Sequence, residues 1–137
     1  MGDIILRLLV AGGVMGVLDW IWLGFVAKKL YYGEIGNLLL DKPFMPAALL
    51  FYVLYVIGIV VFAVSPAIEK SSWQYALGYG ALFGLLAYAT YDLTNWATLK
   101  GWSSKIVVID MVWGAFLTGS VAATTFFVVT KLLPKLF

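Results

Sequence analysis

The sequence predicts an all-α, polytopic membrane protein, a bundle of four transmembrane helices in up-down-up-down order, and three observations carry that reading. The 137 residues are 64% hydrophobic and 12% charged, where soluble domains run to about 45–50% apolar and about 25% charged. Mean hydropathy is +1.00. Four apolar stretches reach the roughly 20 residues that cross a hydrocarbon core of about 30 Å. Pro43, Pro46, Pro66 and Pro134 fall at or beyond the ends of those stretches, where a missing N–H costs little.

The expected helices cover residues 4–27, 45–64, 73–97 and 106–130. The first could pass for a signal peptide, but it is long, carries Asp19 and lacks a small-x-small cleavage site, so it reads as a span. The opening Met-Gly is no myristoylation signal, since Leu6 stands where Ser or Thr is wanted. The second is "VLYVIGIVVFAV" at its centre, which does not alternate and so excludes the short two-faced strands of a membrane barrel. Tight connections precede the third and the fourth. Residues 1–137 therefore form one transmembrane domain, and consecutive helices run antiparallel.

Helix 1 starts on one membrane face, A, and ends on the other, B. Face B holds the connection 28–44, "KKLYYGEIGNLLLDKPF", and the turn "TLKGWSSK". Lys28, Lys29, Lys42, Lys100 and Lys105 stand there, against Arg7, Lys70, Lys131 and Lys135 on face A. This imbalance tips the positive-inside rule only slightly toward face B as cytoplasmic. In the connection, Tyr31, Tyr32, Ile35 and Leu38 to Leu40 suit either an interfacial segment among the headgroups or a tight loop with an apolar lip.

The composition limits the chemistry. The net charge of +2 is spread along the chain and offers no basic face, so nucleic acid is not an expected partner. Without Cys or His there is no disulfide, no thiolate or imidazole nucleophile, and no zinc or haem site of the usual ligands. Carboxylates, hydroxyls, amides, lysines and aromatic rings remain.

Asp3, Glu34, Asp41 and Glu69 lie in ends or loops, where water explains them, whereas Asp19, Asp92 and Asp110 lie within spans. Asp19 precedes Lys28, Asp92 precedes Lys100, and Asp110 follows Lys105. At about 1.5 Å per residue, these gaps put all three roughly 8–14 Å from face B. Arg7, the only arginine, lies about 18 Å further toward face A on the helix of Asp19. An acidic cluster with no cation at its depth should hold a proton or attract a cation. A single intramembrane Asp is as often a structural pin between helices, and it is the convergence of three that favours a site.

Helical spacing adds neighbours. Gly84, Tyr88, Asp92, Asn95 and Leu99 form a stripe on helix 3, with Thr94 nearby. Asp110, Trp113, Gly114, Thr118 and Thr125 form one on helix 4, and Gly12, Met15, Gly16, Asp19 and Trp22 one on helix 1. Trp20, Trp22, Trp96 and Trp102 suit an interfacial aromatic belt. Trp113 lies deeper and suits donation to a carboxylate. The pairs Gly12/Gly16 and Gly80/Gly84 allow close helix contact. "VLDWIW" at 17–22 and "VIDMVW" at 108–113 hint at a repeat.

"LDWIWLGFVAKKLYY", "YATYDLTNWATLKGWS" and "VVIDMVWG" together resemble an uncharacterised family of small bacterial four-helix membrane proteins, a domain of unknown function. Tyr-Asp-Leu-Thr-Asn is the most specific part. The resemblance implies a multi-pass protein of the bacterial inner membrane and brings no activity with it.

The first functional reading is therefore an intramembrane acidic site that binds or conducts a proton or cation. Its candidate ligand-binding residues are Asp19, Asp92, Asp110, Asn95, Trp113, Tyr88 and Thr94. A hard cation, if any binds, would fall to the three Asp. Membrane lipid is the expected surrounding partner, and a homo-oligomer built on the glycine faces would enclose a path. The alternatives are a lipid-modifying enzyme using the carboxylates as metal ligands or as acid and base, and an accessory subunit of a membrane complex. The balance leans away from an enzyme, because phosphate-bearing headgroups call for Arg or Lys clamps.

Overall fold

The computed structural model describes residues 2–135. Residues 1, 136 and 137 of the expected 1–137 domain, and the Lys135 side chain, lie outside that description. The described chain is helical with short turns and contains no strand.

Helix α1 (Gly2–Ile21) continues through a π-helical stretch, Trp22–Ala27, into α2 (Lys28–Ile35) and a closing 3-10 turn, Gly36–Leu38. The expected end at residue 27 is thus corrected. The stripe of α1 runs on through Ala27, Tyr31 and Ile35, each one turn further, and Ala27 and Ile35 are buried. Lys28 and Lys29 stay on the exposed side, so the basic pair does not interrupt the helix.

Helix α3 (Met45–Ile59) passes through a second π-helical stretch, Val60–Val64, into α4 (Ser65–Glu69). The chain therefore stays helical beyond the expected end at 64. Proline lacks an N–H and crowds the preceding turn, and the wider π turns lie directly before Pro66. Helix α5 (Trp73–Thr98) begins at Ser72, whose hydroxyl accepts from the Tyr75 N–H at 3.1 Å. Helix α6 (Ser104–Phe127) begins at Ser103, which accepts from the Ile106 N–H at 3.2 Å. Both serines satisfy a donor that the first helical turn leaves open. Between α5 and α6, Gly101 takes a φ of +73°, a conformation open to glycine without a Cβ penalty.

Helices α5 and α6 form the most extensive pair. Gly80 meets Thr118 and Ala122, Gly84 meets the Gly114 carbonyl, and Gly119 meets Leu77 and Ala81. This register is antiparallel. Helix α1 pairs antiparallel with α3, where Gly12 meets Val56 and Gly16 meets Tyr52. The glycine faces expected to join copies of the chain are therefore occupied within it. Small residues let backbones approach until van der Waals contact and polar pairs hold them.

The core contains Met15, Ile59, Val60, Val64, Leu117, Val121 and Phe126. Arg7 donates to Ser65 Oγ at 2.8 Å, tying α1 to α4 far from the acidic residues. Outward, Trp20, Leu50, Leu86 and Phe116 are exposed, one on each of the four long helices.

Three helical stretches, Asp3–Leu38, Met45–Glu69 and Ser104–Leu132, are long and apolar enough to cross a membrane. Helix α5 has 26 residues, about 39 Å at the usual rise, which is ample length. Its composition differs from the expectation of a fourth equal span, because Gln74, Asp92, Asn95 and several tyrosines and glycines dilute it.

Candidate functional site

Helix α5 carries Asp92 against α6, where its side chain is completely buried. Neither carboxyl oxygen has a hydrogen-bond donor among the described residues. What faces it is a second carboxyl, Asp110 of α6. Antiparallel packing produces that meeting. Gly114, one turn beyond Asp110, receives the Tyr88 ring, one turn before Asp92, so the next turns must juxtapose the two acids.

Asp110 is 8% exposed and accepts a hydrogen bond from the Tyr31 hydroxyl of α2. Tyr31 in turn lies beside the Trp22 indole. The Trp22 ring stacks on Trp113 with centroids 4.3 Å apart and planes 7° from parallel. Trp113 faces the half-buried carboxyl of Asp19 on α1, which is also close to Asp110. All three acids thus gather between α1, α5 and α6.

Two of the three acids open on a cavity of about 760 Å³. Asp19 and Asp110 line it, together with Trp22, Trp113, Tyr31, Tyr88 and Tyr91. The exposed Lys28, the apolar run Leu38 to Leu40 and Pro43 also line it. Asp92 lies behind Asp110 and does not reach the cavity.

The structure treats the remaining sequence candidates differently. Tyr88 lines the cavity. Asn95 is half-buried on the Asp92 side of α5 and is no part of the cavity wall. Thr94 is exposed and donates back to the Thr90 and Tyr91 carbonyls of its own helix, outside the cavity wall. Two residues along a helix is more than half a turn, so Thr94 must point away from Asp92. Trp22 is not a belt residue, since it is half-buried in the stack on Trp113, whereas Trp20 and Trp96 are exposed.

Among the described residues no group of three or more His, Cys, Asp or Glu is arranged to hold a metal ion. The physical reason is the sealed position of Asp92, which cannot share an open coordination sphere with Asp19 and Asp110.

Tyr31, Lys28 and the Leu38–Leu40 lip line the cavity, although the sequence reading leaves them in the 28–44 connection, as an interfacial segment or a tight loop. The signal was present in the turn-by-turn continuation from Asp19 through Leu23 and Ala27 to Tyr31. The paired lysines and tyrosines obscure it, because the same residues mark a membrane interface.

No curated protein and no solved structure matches the chain. A family of unknown function described as "Predicted membrane protein (DUF2177)" matches residues 4–127, nearly the whole chain, and the protein belongs to that family of membrane proteins.

Proposed function

We propose that this protein binds a proton on its intramembrane carboxyl cluster and exchanges it with the open cavity. The observation that carries the reading is Asp92, fully buried, without a donor to either oxygen among the described residues, and faced by Asp110. An ionised carboxylate only accepts hydrogen bonds. Two of them at about 4 Å repel by about 4 kcal/mol even at an effective dielectric of 20. One shared proton turns an acceptor into a donor and removes the repulsion. Tyr31 satisfies Asp110 from the other side, and Asp110 reaches the cavity, so a proton on Asp92 has a route out.

The core supports binding and release on one side more than conduction through a single chain. Toward the other end of the bundle lie Leu117, Val121, Ile59 and Val64, all without exposure. A path across would run between copies of the chain.

In this reading α5 crosses the membrane with the other three helices in up-down order. Its exposed Leu82, Leu86 and Leu93 give it a lipid-facing side. A helical, barrel-free protein suits a bacterial inner membrane. The lipid-modifying reading has less support, because among the described residues Lys28 is the one cation on the cavity wall where a phosphate would call for a clamp.

Infrared difference spectra of the protein in nanodiscs test the proposal. A carboxylic acid C=O stretch at neutral pH, lost in Asp92→Asn, is the expected result. Proteoliposomes loaded with a pH-sensitive dye then measure whether the proton crosses. If every carboxyl is ionised at neutral pH, the proposal falls.

A further inference from the structure

We infer that the cavity beside the acid cluster binds a lipophilic organic cation, its charge held at Asp19 and Asp110 and its carbon body against the aromatic wall. The inference rests on the proton-site reading in using the same carboxylates.

Size comes first. A volume of about 760 Å³ lies within the range of about 300–1,000 Å³ typical of small-molecule sites and far exceeds what a bare ion fills. A hard metal ion wants about six oxygen ligands at short distance, and among the described residues no group of three or more Asp or Glu is arranged to supply them. The occupant is therefore molecular.

Charge comes second. Asp19 and Asp110 lie half-buried and buried on the wall, whereas Lys28, the one basic residue of the lining among the described residues, is exposed. An anion entering the cavity meets two carboxylates in a low-dielectric surrounding. A cation gains from both.

The wall supplies the third argument. Trp22, Trp113, Tyr31, Tyr88 and Tyr91 line the cavity, and the negative faces of such rings attract a desolvated cation. A strongly hydrated small ammonium ion would have to give up its water for these faces. A cation whose charge is spread over apolar carbon has little water to lose and gains from burying that carbon. The lip of Leu38 to Leu40 and Pro43 continues that apolar surface outward, toward the lipid in which such cations concentrate.

The test uses a charge-inverted pair of equal size and shape, tetraphenylphosphonium and tetraphenylborate, added to the full chain in nanodiscs and followed by tryptophan fluorescence. Trp22 and Trp113 report from the wall itself. Saturable quenching by the phosphonium at least tenfold tighter than any by the borate is the expected result, with Asp19→Asn weakening it at least tenfold. Equal response to the two ions, no saturable response, or full binding by Asp19→Asn overturns the inference. The wild-type comparison needs no variant, so misfolding of Asp19→Asn cannot shelter it. The infrared acid band is read on the same samples. A retained band without phosphonium binding removes the cation and leaves the proton site, whereas loss of the band removes the proton site.

Discussion

Tyr31 of α2 donates its hydroxyl to the Asp110 carboxylate of α6, across 79 positions of sequence. The bond anchors the far end of the 36-residue stretch Asp3–Leu38 over the acid cluster. Removing a donor to a charged, partly buried acceptor costs about 1.5–3 kcal/mol. Tyr31→Phe is therefore expected to lower unfolding stability in micelles by that amount. Tyr32→Phe, one position on and 52% exposed, should stay within about 0.5 kcal/mol of the parent. In an Asp110→Asn background the effect of Tyr31→Phe should shrink, and a double-mutant cycle measures the difference.

The α5–α6 seam makes a second prediction. A Cβ on Gly84 would overlap the Gly114 carbonyl, and one on Gly80 would come within 2.9 Å of the Thr118 carbonyl. Backbone oxygens of a packed helix cannot move aside as a side chain can. Gly84→Ala should destabilise by about 1–3 kcal/mol, despite the gain of roughly 1 kcal/mol that alanine brings to a helix. Gly78→Ala on the same helix meets nothing within 4 Å and should be neutral or stabilising. The contrast is read from thermal midpoints of the two purified variants, and equal midpoints would contradict the packing.

Asp92→Asn separates the buried pair from an ordinary buried acid. The amide keeps the shape of the carboxyl and brings a donor that can reach Asp110, so stability should be unchanged or higher by about 1 kcal/mol. Most changes at a fully buried polar side chain lower stability. A loss of more than about 2 kcal/mol, measured by denaturant titration in micelles, would mean that Asp92 has a partner of a different kind.

A common depth for the three Asp is legible in the sequence, because helix rise converts their spacing from Lys28, Lys100 and Lys105 into a distance from one membrane face; whether they meet is not. Nor is their order in space. Which acid is sealed and which opens to a cavity depends on how α5 and α6 are rotated, and the glycines that set this rotation carry no mark of their partner. Gly80 and Gly84 read equally well as contacts to another copy. The extension through Tyr31 is hidden for another reason, since Lys-Lys and Tyr-Tyr are also what an interfacial loop contains. Thr94 stands two residues from Asp92 in sequence, but the helix turns it to the exposed side.

The last prediction concerns what holds α2 over the cavity. Glu34 and Lys105 form an ion pair at 3.8 Å, with side chains 33% and 62% exposed, and Ser103 donates to Glu34 at 2.9 Å. Exposed pairs of this kind contribute about 0–1 kcal/mol, so Lys105→Ala should leave the segment protected. Ile35 is 3% exposed, and truncating a buried Ile costs about 2–5 kcal/mol. Ile35→Ala should therefore release α2, raising hydrogen exchange across 28–38 while α5 and α6 keep their protection. If Lys105→Ala opens the segment as much as Ile35→Ala does, electrostatics rather than apolar packing closes the cavity.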